Sequence, residues 1–153
     1  MKNISLILII LINISFVMSC SKTHDTTTQV EYSLIGQGNL YGNGQENISK
    51  QNLVISDSNS WDALLVKMNS VNNESDNFTE NNIDFSNYEI IAIFDSVYGN
   101  GGHSVVITEI IENATDIRVY IEKKSEGAVA ATVMTQPFQI VKILKTTKQI
   151  IFE

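Results

Sequence analysis

The stretch "EIIAIFDSVYGNGGHSVVITEII", residues 89–111, decides the fold. The apolar run from Glu89 to Phe94 is followed by a glycine-rich segment, and a second apolar run extends from Ser104 to Ile111. A short continuous apolar run is typical of a central strand that is buried on both faces. A phosphate-binding loop would need a helix after the glycines, because the free N–H groups at a helix start hold the phosphate. Since a second strand follows instead, the stretch predicts two strands and a turn.

The glycine segment itself indicates a tight connection. Asn100 and Gly101 both tolerate positive φ, as a two-residue hairpin turn requires, and Gly102 can absorb a bulge. We therefore predict that Asn100, Gly101 and Gly102 form a structural turn joining strands 89–94 and 104–111. No regular spacing of metal-binding residues surrounds His103, so we expect a solvated or hydrogen-bonded histidine and no metal site.

The spacing of apolar residues indicates one amphipathic helix, expected over about residues 60–71. Apolar side chains recur there at the three- and four-residue steps of a helix face. They are Trp61, Leu64, Leu65, Met68 and Val71. Asn59 is the expected N-cap, with Asp62 three residues later as in a capping box.

Short strands are expected elsewhere, over residues 30–35, 53–55, 117–122, 138–144 and 149–152. The glycine-rich segment 36–44 is predicted to be a loop or a β-bulge. Pro137 suits the start of an edge strand, because it lacks an N–H. The chain is thus predicted to be α+β, with a mostly antiparallel twisted sheet and one amphipathic helix packed on it. Closure of this sheet into a barrel is an alternative that the sequence does not decide.

The N-terminus carries an export signal. Lys2 precedes a fifteen-residue apolar run, and the run ends in Val17-Met18-Ser19-Cys20, the pattern of a bacterial lipoprotein cleavage site. We expect a signal peptide over residues 1–19, acylation of Cys20, a tether over 20–29 and a folded domain over 30–153. The alternative is an ordinary signal peptide followed by an incidental cysteine.

Composition excludes several functions. The chain has 17 acidic and 10 basic residues, a net charge of −7, so nucleic acid is not expected as a partner. Cys20 is the only cysteine, which rules out an intrachain disulfide. Ser104 adjoins His103, but neighbouring residues of a strand point to opposite faces. We predict no catalytic residues and no cofactor.

Several stretches resemble one family in order along the chain. They are "WDALL", "IDFSNYEIIAIF", "GNGGHSVVIT", "IRVYIE", "TQPFQIVKI" and the closing "IIF". Together they resemble the C-terminal domain of PrcB, the lipoprotein subunit of a subtilisin-like surface protease complex. The resemblance covers residues 53–152, and His103 stands where the family often has tyrosine.

The resemblance implies an accessory role without hydrolysis, such as support of the assembly or stability of a protease. We therefore expect a lipid-anchored protein of the bacterial cell envelope, facing the periplasm or the cell surface. Its expected partners are the lipid bilayer, through acylated Cys20, and another protein, with a protease as one candidate. The alternative is an envelope lipoprotein that binds a small molecule or glycan.

Overall fold

The computed structural model of the chain describes residues 27–125 and 133–153, which form two four-stranded sheets and one α-helix. In chain order the elements are β1 Thr28–Gln29, β2 Ser33–Leu40, β3 Gln51–Ile55, α1 Ser58–Met68, a 3₁₀ turn Glu74–Asn77, β4 Tyr88–Phe94, β5 His103–Glu112, β6 Asp116–Ser125, β7 Gln136–Leu144 and β8 Gln149–Phe152. The α+β prediction is confirmed. The expected signal peptide over residues 1–19, Cys20 and residues 21–26 of the expected tether lie outside the described residues.

The two sheets and the helix form three layers. The central sheet has the strand order β2-β7-β4-β3, and the outer sheet has the order β1-β5-β6-β8. All pairs are antiparallel except β6 with β8, which is parallel. The strands therefore remain in two separate sheets, and the sheet does not curl into a barrel.

Strand β4 is buried on both faces, as its unbroken apolar run predicts. Ile90, Ala92 and Phe94 face α1 and belong to one core cluster. Ile91 and Ile93 face the outer sheet and pack in a second cluster with residues of β5, β6 and β7. The period-2 alternation of a strand thus divides one apolar run between two cores.

Helix α1 covers the central sheet through its predicted face, but its ends differ from the prediction. Trp61, Leu64 and Met68 are buried. The N-cap is Asp57 rather than Asn59, because the Asp57 carboxylate accepts a 2.9 Å hydrogen bond from the Ser60 N–H. The helix ends at Met68, and the Asn69 side chain that follows it bonds the Ser75 N–H and hydroxyl. Val71, predicted on the buried face, therefore lies beyond the helix and is 43% exposed.

The predicted hairpin over Asn100, Gly101 and Gly102 is wrong. The strands on either side of it lie in different sheets, and residues 95–102 carry the chain from the central sheet to the outer one. The reason is that β4 already has β3 and β7 as neighbours. Tyr98, within the connection, pairs instead with Thr135.

Pro137 does not lie on an edge. It occupies the second position of β7, between β2 and β4, where its carbonyl accepts a 2.9 Å hydrogen bond from the Asp95 N–H. Its missing N–H is tolerated because the Asp95 carbonyl accepts from the Gln136 side-chain amide instead. The segment predicted as a loop or bulge is partly strand: β2 continues to Leu40, with a bulge between Leu34 and Gly36. Gly36 is required there, because a Cβ would lie 2.5 Å from the Phe78 ring.

The α-helix in residues 27–125 and 133–153, α1, has 11 residues, too few to cross a membrane, and the same residues contain no apolar helix that is longer.

Candidate functional site

The connection after β4 is organised by a buried aspartate. Asp95 is only 2% exposed, and one of its oxygens accepts hydrogen bonds from Lys123 at 2.9 Å and from Lys50 at 3.3 Å. Its other oxygen accepts a 2.7 Å hydrogen bond from the Tyr98 hydroxyl. Lys50 precedes β3 and Lys123 lies on β6, so the carboxylate joins the edge of the central sheet to the outer sheet.

These contacts keep Asp95 ionised. Burial alone would raise the pKa of the carboxyl, but the hydrogen bonds from Lys123, Tyr98, the Ser96 N–H and Lys50 outweigh it and lower the pKa to about 2. Both lysines are about half exposed, so water satisfies their remaining donors. The cluster is fully paired, and its role is to hold the two sheets together.

Replacing Asp95 by asparagine is expected to make stability less sensitive to acid. Because the pKa in the folded state lies below the ordinary 3.8, the ionised carboxylate stabilises the fold above about pH 4, and this is lost as the pH falls toward 2. The lowering of the Asp95 pKa from 3.8 to about 2 corresponds to about 1–2 kcal/mol once the exposure of the two lysines is taken into account. Urea unfolding of both proteins should therefore show a gap in the free energy of unfolding near neutral pH that closes near pH 2. A gap that is independent of pH would contradict this role.

The segment that was predicted to form a hairpin turn stabilises the connection between β4 and β5 through side-chain contacts with Tyr98 and Thr135. The His103 ring stacks on the Tyr98 ring at a centroid distance of 3.7 Å, and its Nε2 lies 2.8 Å from the Asn100 side-chain oxygen. The Asn100 carbonyl accepts a 2.8 Å hydrogen bond from the Thr135 hydroxyl. His103 is thus hydrogen-bonded, as predicted, and belongs to a packed loop.

Gly102 carries the backbone constraint that was predicted for Asn100 and Gly101. Among the three, only Gly102 has positive φ, at 81°. Gly102→Ala should therefore lower the free energy of unfolding by about 1–2 kcal/mol, the cost of the left-handed region for a residue with a Cβ. The matched Gly101→Ala should change it by less than about 0.5 kcal/mol. Urea unfolding measures both, and equal losses would show that positive φ at Gly102 is not the constraint.

No metal centre is assembled in the part of the chain that the structure describes, where no group of three or more His, Cys, Asp or Glu side chains is arranged to hold an ion.

Two grooves lie on either side of strand β3, which is an edge of the central sheet. The first, of about 370 Å³, runs between β3 and α1, and we call it the helix groove. Its lining residues are Gln51, Leu53, Val54, Ile55, Ser60, Ala63, Leu64 and Lys67. An apolar floor with a polar rim is the usual character of a binding groove.

The second groove, of about 470 Å³, opens on the other side of β3 toward the outer sheet, and we call it the sheet groove. It is lined by Lys50, Gln51, Asn52, Phe94, Val105, Ile121, Lys123, Phe152 and Glu153. The Asp95 cluster therefore forms one wall of this groove through its two lysines.

A larger cleft of about 570 Å³ lies between Val30 to Ser33 and the end of β7. It contains an aromatic ring, Tyr88, but the Lys142 ammonium lies over that ring at 4.6 Å from its centroid. Lys142 also pairs with Glu80. One face of the Tyr88 ring is therefore already covered by Lys142.

Sequence reasoning missed the groove residues and the partners of Asp95. Lys50 and Lys123 lie far from Asp95 along the chain, and no periodicity brings them together. A usable signal did exist: an aspartate directly after a fully buried strand needs partners, since a buried charge is costly when unpaired. The predicted lipidation site, Cys20, lies outside the described residues.

Comparison with known proteins supports the resemblance drawn from the motifs. Residues 91–143 match the family model described as PrcB C-terminal. The matched segment runs from the middle of β4 to near the end of β7, and it includes the glycine connection and the inter-sheet core. No curated protein and no solved structure matches the chain.

Proposed function

Since residues 91–143 match the PrcB C-terminal family, we propose that the chain is a lipid-anchored cell-envelope protein with a non-catalytic, protein-binding role. Within that role it supports the assembly or stability of a protease complex. The family match is the observation that carries the proposal. It agrees with a polar cluster at the glycine connection whose groups are already paired with one another.

The anchor belongs to the same proposal. The Val17-Met18-Ser19-Cys20 pattern after an apolar run supports acylation of Cys20, and two or three acyl chains give a stable membrane attachment. An anchored domain is confined to the membrane surface, which raises its effective concentration toward a partner in the same envelope. The partner is therefore sought in the membrane fraction.

Chemical crosslinking in native membranes followed by affinity purification of the full-length chain tests the proposal. We expect one or a few envelope proteins to be enriched, with a protease or a protease subunit among them. Deleting the gene should lower the amount or activity of that protease. If no protein is enriched over an unrelated lipoprotein of the same membrane, the protein-binding role is wrong.

The alternative, binding of a small molecule or glycan, has a candidate site in the 570 Å³ cleft. Lys142 covers the Tyr88 ring there, which disfavours stacking of a sugar on that face. The open edge beside the two grooves suits a polypeptide better.

A further inference from the structure

Strand β3 is an open edge of the central sheet. It pairs with β4 along its whole length, from Gln51 opposite Phe94 to Ile55 opposite Ile90. Within the described residues, no hydrogen bond is formed by a β3 backbone group on the side away from β4. The N–H and C=O groups of every second residue of β3 are thus directed toward solvent, ready to pair with another strand.

Two other stretches of unpaired strand are partly covered by side chains or loops. Along the edge strand β2, the Thr79 N–H and hydroxyl donate to the carbonyls of Ile35 and Leu34, at 2.9 and 2.8 Å. On the part of β5 that the short β1 does not reach, the Ile107 N–H donates to the Gln139 side chain, and the Ile107 carbonyl accepts from Tyr32. Natural sheets usually block such edges with charges, proline or covering loops. The sequence of β3, "QNLVI", contains neither a charge nor a proline.

The two grooves fit the alternating side chains of an added strand. Leu53 and Ile55 face α1 and line the helix groove. Val54, which is 40% exposed, lies opposite Ile91 and so points to the side of the outer sheet. A strand laid beside β3 would likewise place successive side chains in the helix groove and in the sheet groove. The side chains of a helix do not alternate between two opposite faces, so the site fits an extended segment.

The rims of the two grooves are positive on an otherwise acidic chain. They carry Lys67 on one side and Lys50 and Lys123 on the other. The acidic groups beside them are Glu153 and the buried Asp95, which lies within 3.3 Å of both Lys50 and Lys123. Glu153 is itself paired with Arg118 at 3.0 Å. Because the whole chain has a net charge of −7, this local excess of lysine favours a segment that carries carboxylates.

We propose that β3 accepts an extended, acidic segment of the partner protein as an additional strand, with its alternating apolar side chains in the helix groove and the sheet groove. The inference rests on the proposed protein-binding role and names the surface that performs it. Backbone hydrogen bonds to β3 provide affinity that is independent of sequence, and the two grooves select the side chains.

Site-specific photocrosslinking in the native membrane tests the surface. A benzophenone amino acid replaces Val54 in the full-length chain. The same amino acid is placed at two control positions: Val66, which is 71% exposed on the outer face of α1, and Tyr41, which is 54% exposed in the glycine-rich segment 36–44. We expect position 54 to crosslink to one contiguous segment of one protein, and positions 66 and 41 to crosslink much less. If chemical crosslinking finds a partner but position 54 gives no more product than the controls, this inference fails and the protein-binding role stands. If neither method finds a partner, both fail.

Backbone pairing is tested with a synthetic peptide of the crosslinked segment and the full-length protein in detergent. Two versions carry N-methyl groups on alternate residues, in one register or the other, so that only one version loses the N–H groups that face β3. One version should bind about tenfold or more weakly, since several hydrogen bonds are lost, and the other should bind like the parent peptide. Equal binding of both versions would overturn strand addition.

Substitutions on the protein provide the matched control. Val54→Glu places a negative charge on the open edge, where it repels the carboxylates of the added segment, and Val66→Glu makes the same change at an exposed position away from both grooves. We expect Val54→Glu to weaken peptide binding about tenfold or more and Val66→Glu to leave it unchanged. Equal effects of the two substitutions would contradict the proposed surface.

Discussion

Trp61→Ala should lower the free energy of unfolding by about 3–5 kcal/mol, the usual cost of truncating a large buried aromatic residue. Trp61 is 1% exposed, and its ring stacks on Phe78 at a centroid distance of 6.3 Å. Its indole N–H donates a 2.9 Å hydrogen bond to the Asn81 carbonyl. Since a domain of this size has about 5–15 kcal/mol of stability in total, the variant should lose a large part of it.

Two control substitutions separate the loss of the buried ring from the loss of its hydrogen bond and from a change elsewhere on the helix. Val66→Ala, on the exposed face of the same helix, should change stability by less than about 0.5 kcal/mol. Trp61→Phe keeps an apolar ring but leaves the Asn81 carbonyl without its donor, so it should cost about 1–3 kcal/mol for that group, with an added packing loss. Urea unfolding measures all three variants. If Trp61→Ala unfolds at the same urea concentration as Val66→Ala, the helix does not dock as described.

Cys20→Ala should move nearly all of the protein from the membrane to the soluble fraction. Each acyl methylene buried in the bilayer contributes about 0.8 kcal/mol, so the loss of two or three chains removes the attachment. The test is fractionation of cells that express the wild-type or variant chain, together with the mass of the N-terminal peptide. His24→Ala, in the expected tether, serves as the control and should remain in the membrane fraction.

Two results would contradict the anchor. The first is an unmodified Cys20 in the mature wild-type protein. The second is cleavage at another bond, which would favour the ordinary signal peptide with an incidental cysteine. Either result leaves the folded domain and its groove surface unaffected, because those rest on residues that the structure describes.

The parts of the fold that depend on local patterns could be predicted from the sequence. The spacing of Trp61, Leu64 and Met68 indicates the helix and the face it buries. The unbroken apolar run of β4 indicates a strand covered on both sides, and both clusters of the core contain its residues. Asp84 likewise makes only local contacts: its carboxylate accepts hydrogen bonds from the Asn87 side-chain amide and the Ser86 N–H, and these bonds lower its pKa.

The parts that depend on distant residues could not be predicted in the same way. A short strand connection favours a hairpin, yet β4 already has β3 and β7 as neighbours, so β5 joins the other sheet. The pairing of β4 with β7 joins residues about fifty positions apart, such as Ile91 and Val141. Periodicity shows which face of a strand is buried but not which strand lies beside it, and strand order decides which edge stays open.

The most direct test of the account is the composition of the particle that the full-length chain forms when it is extracted from its own membrane in a mild detergent. We predict that the wild-type particle contains this chain and at least one different polypeptide. The Val66→Glu particle should have the same composition, and the Val54→Glu particle should have lost the second polypeptide. A wild-type particle that contains only copies of this chain would contradict the protein-binding role.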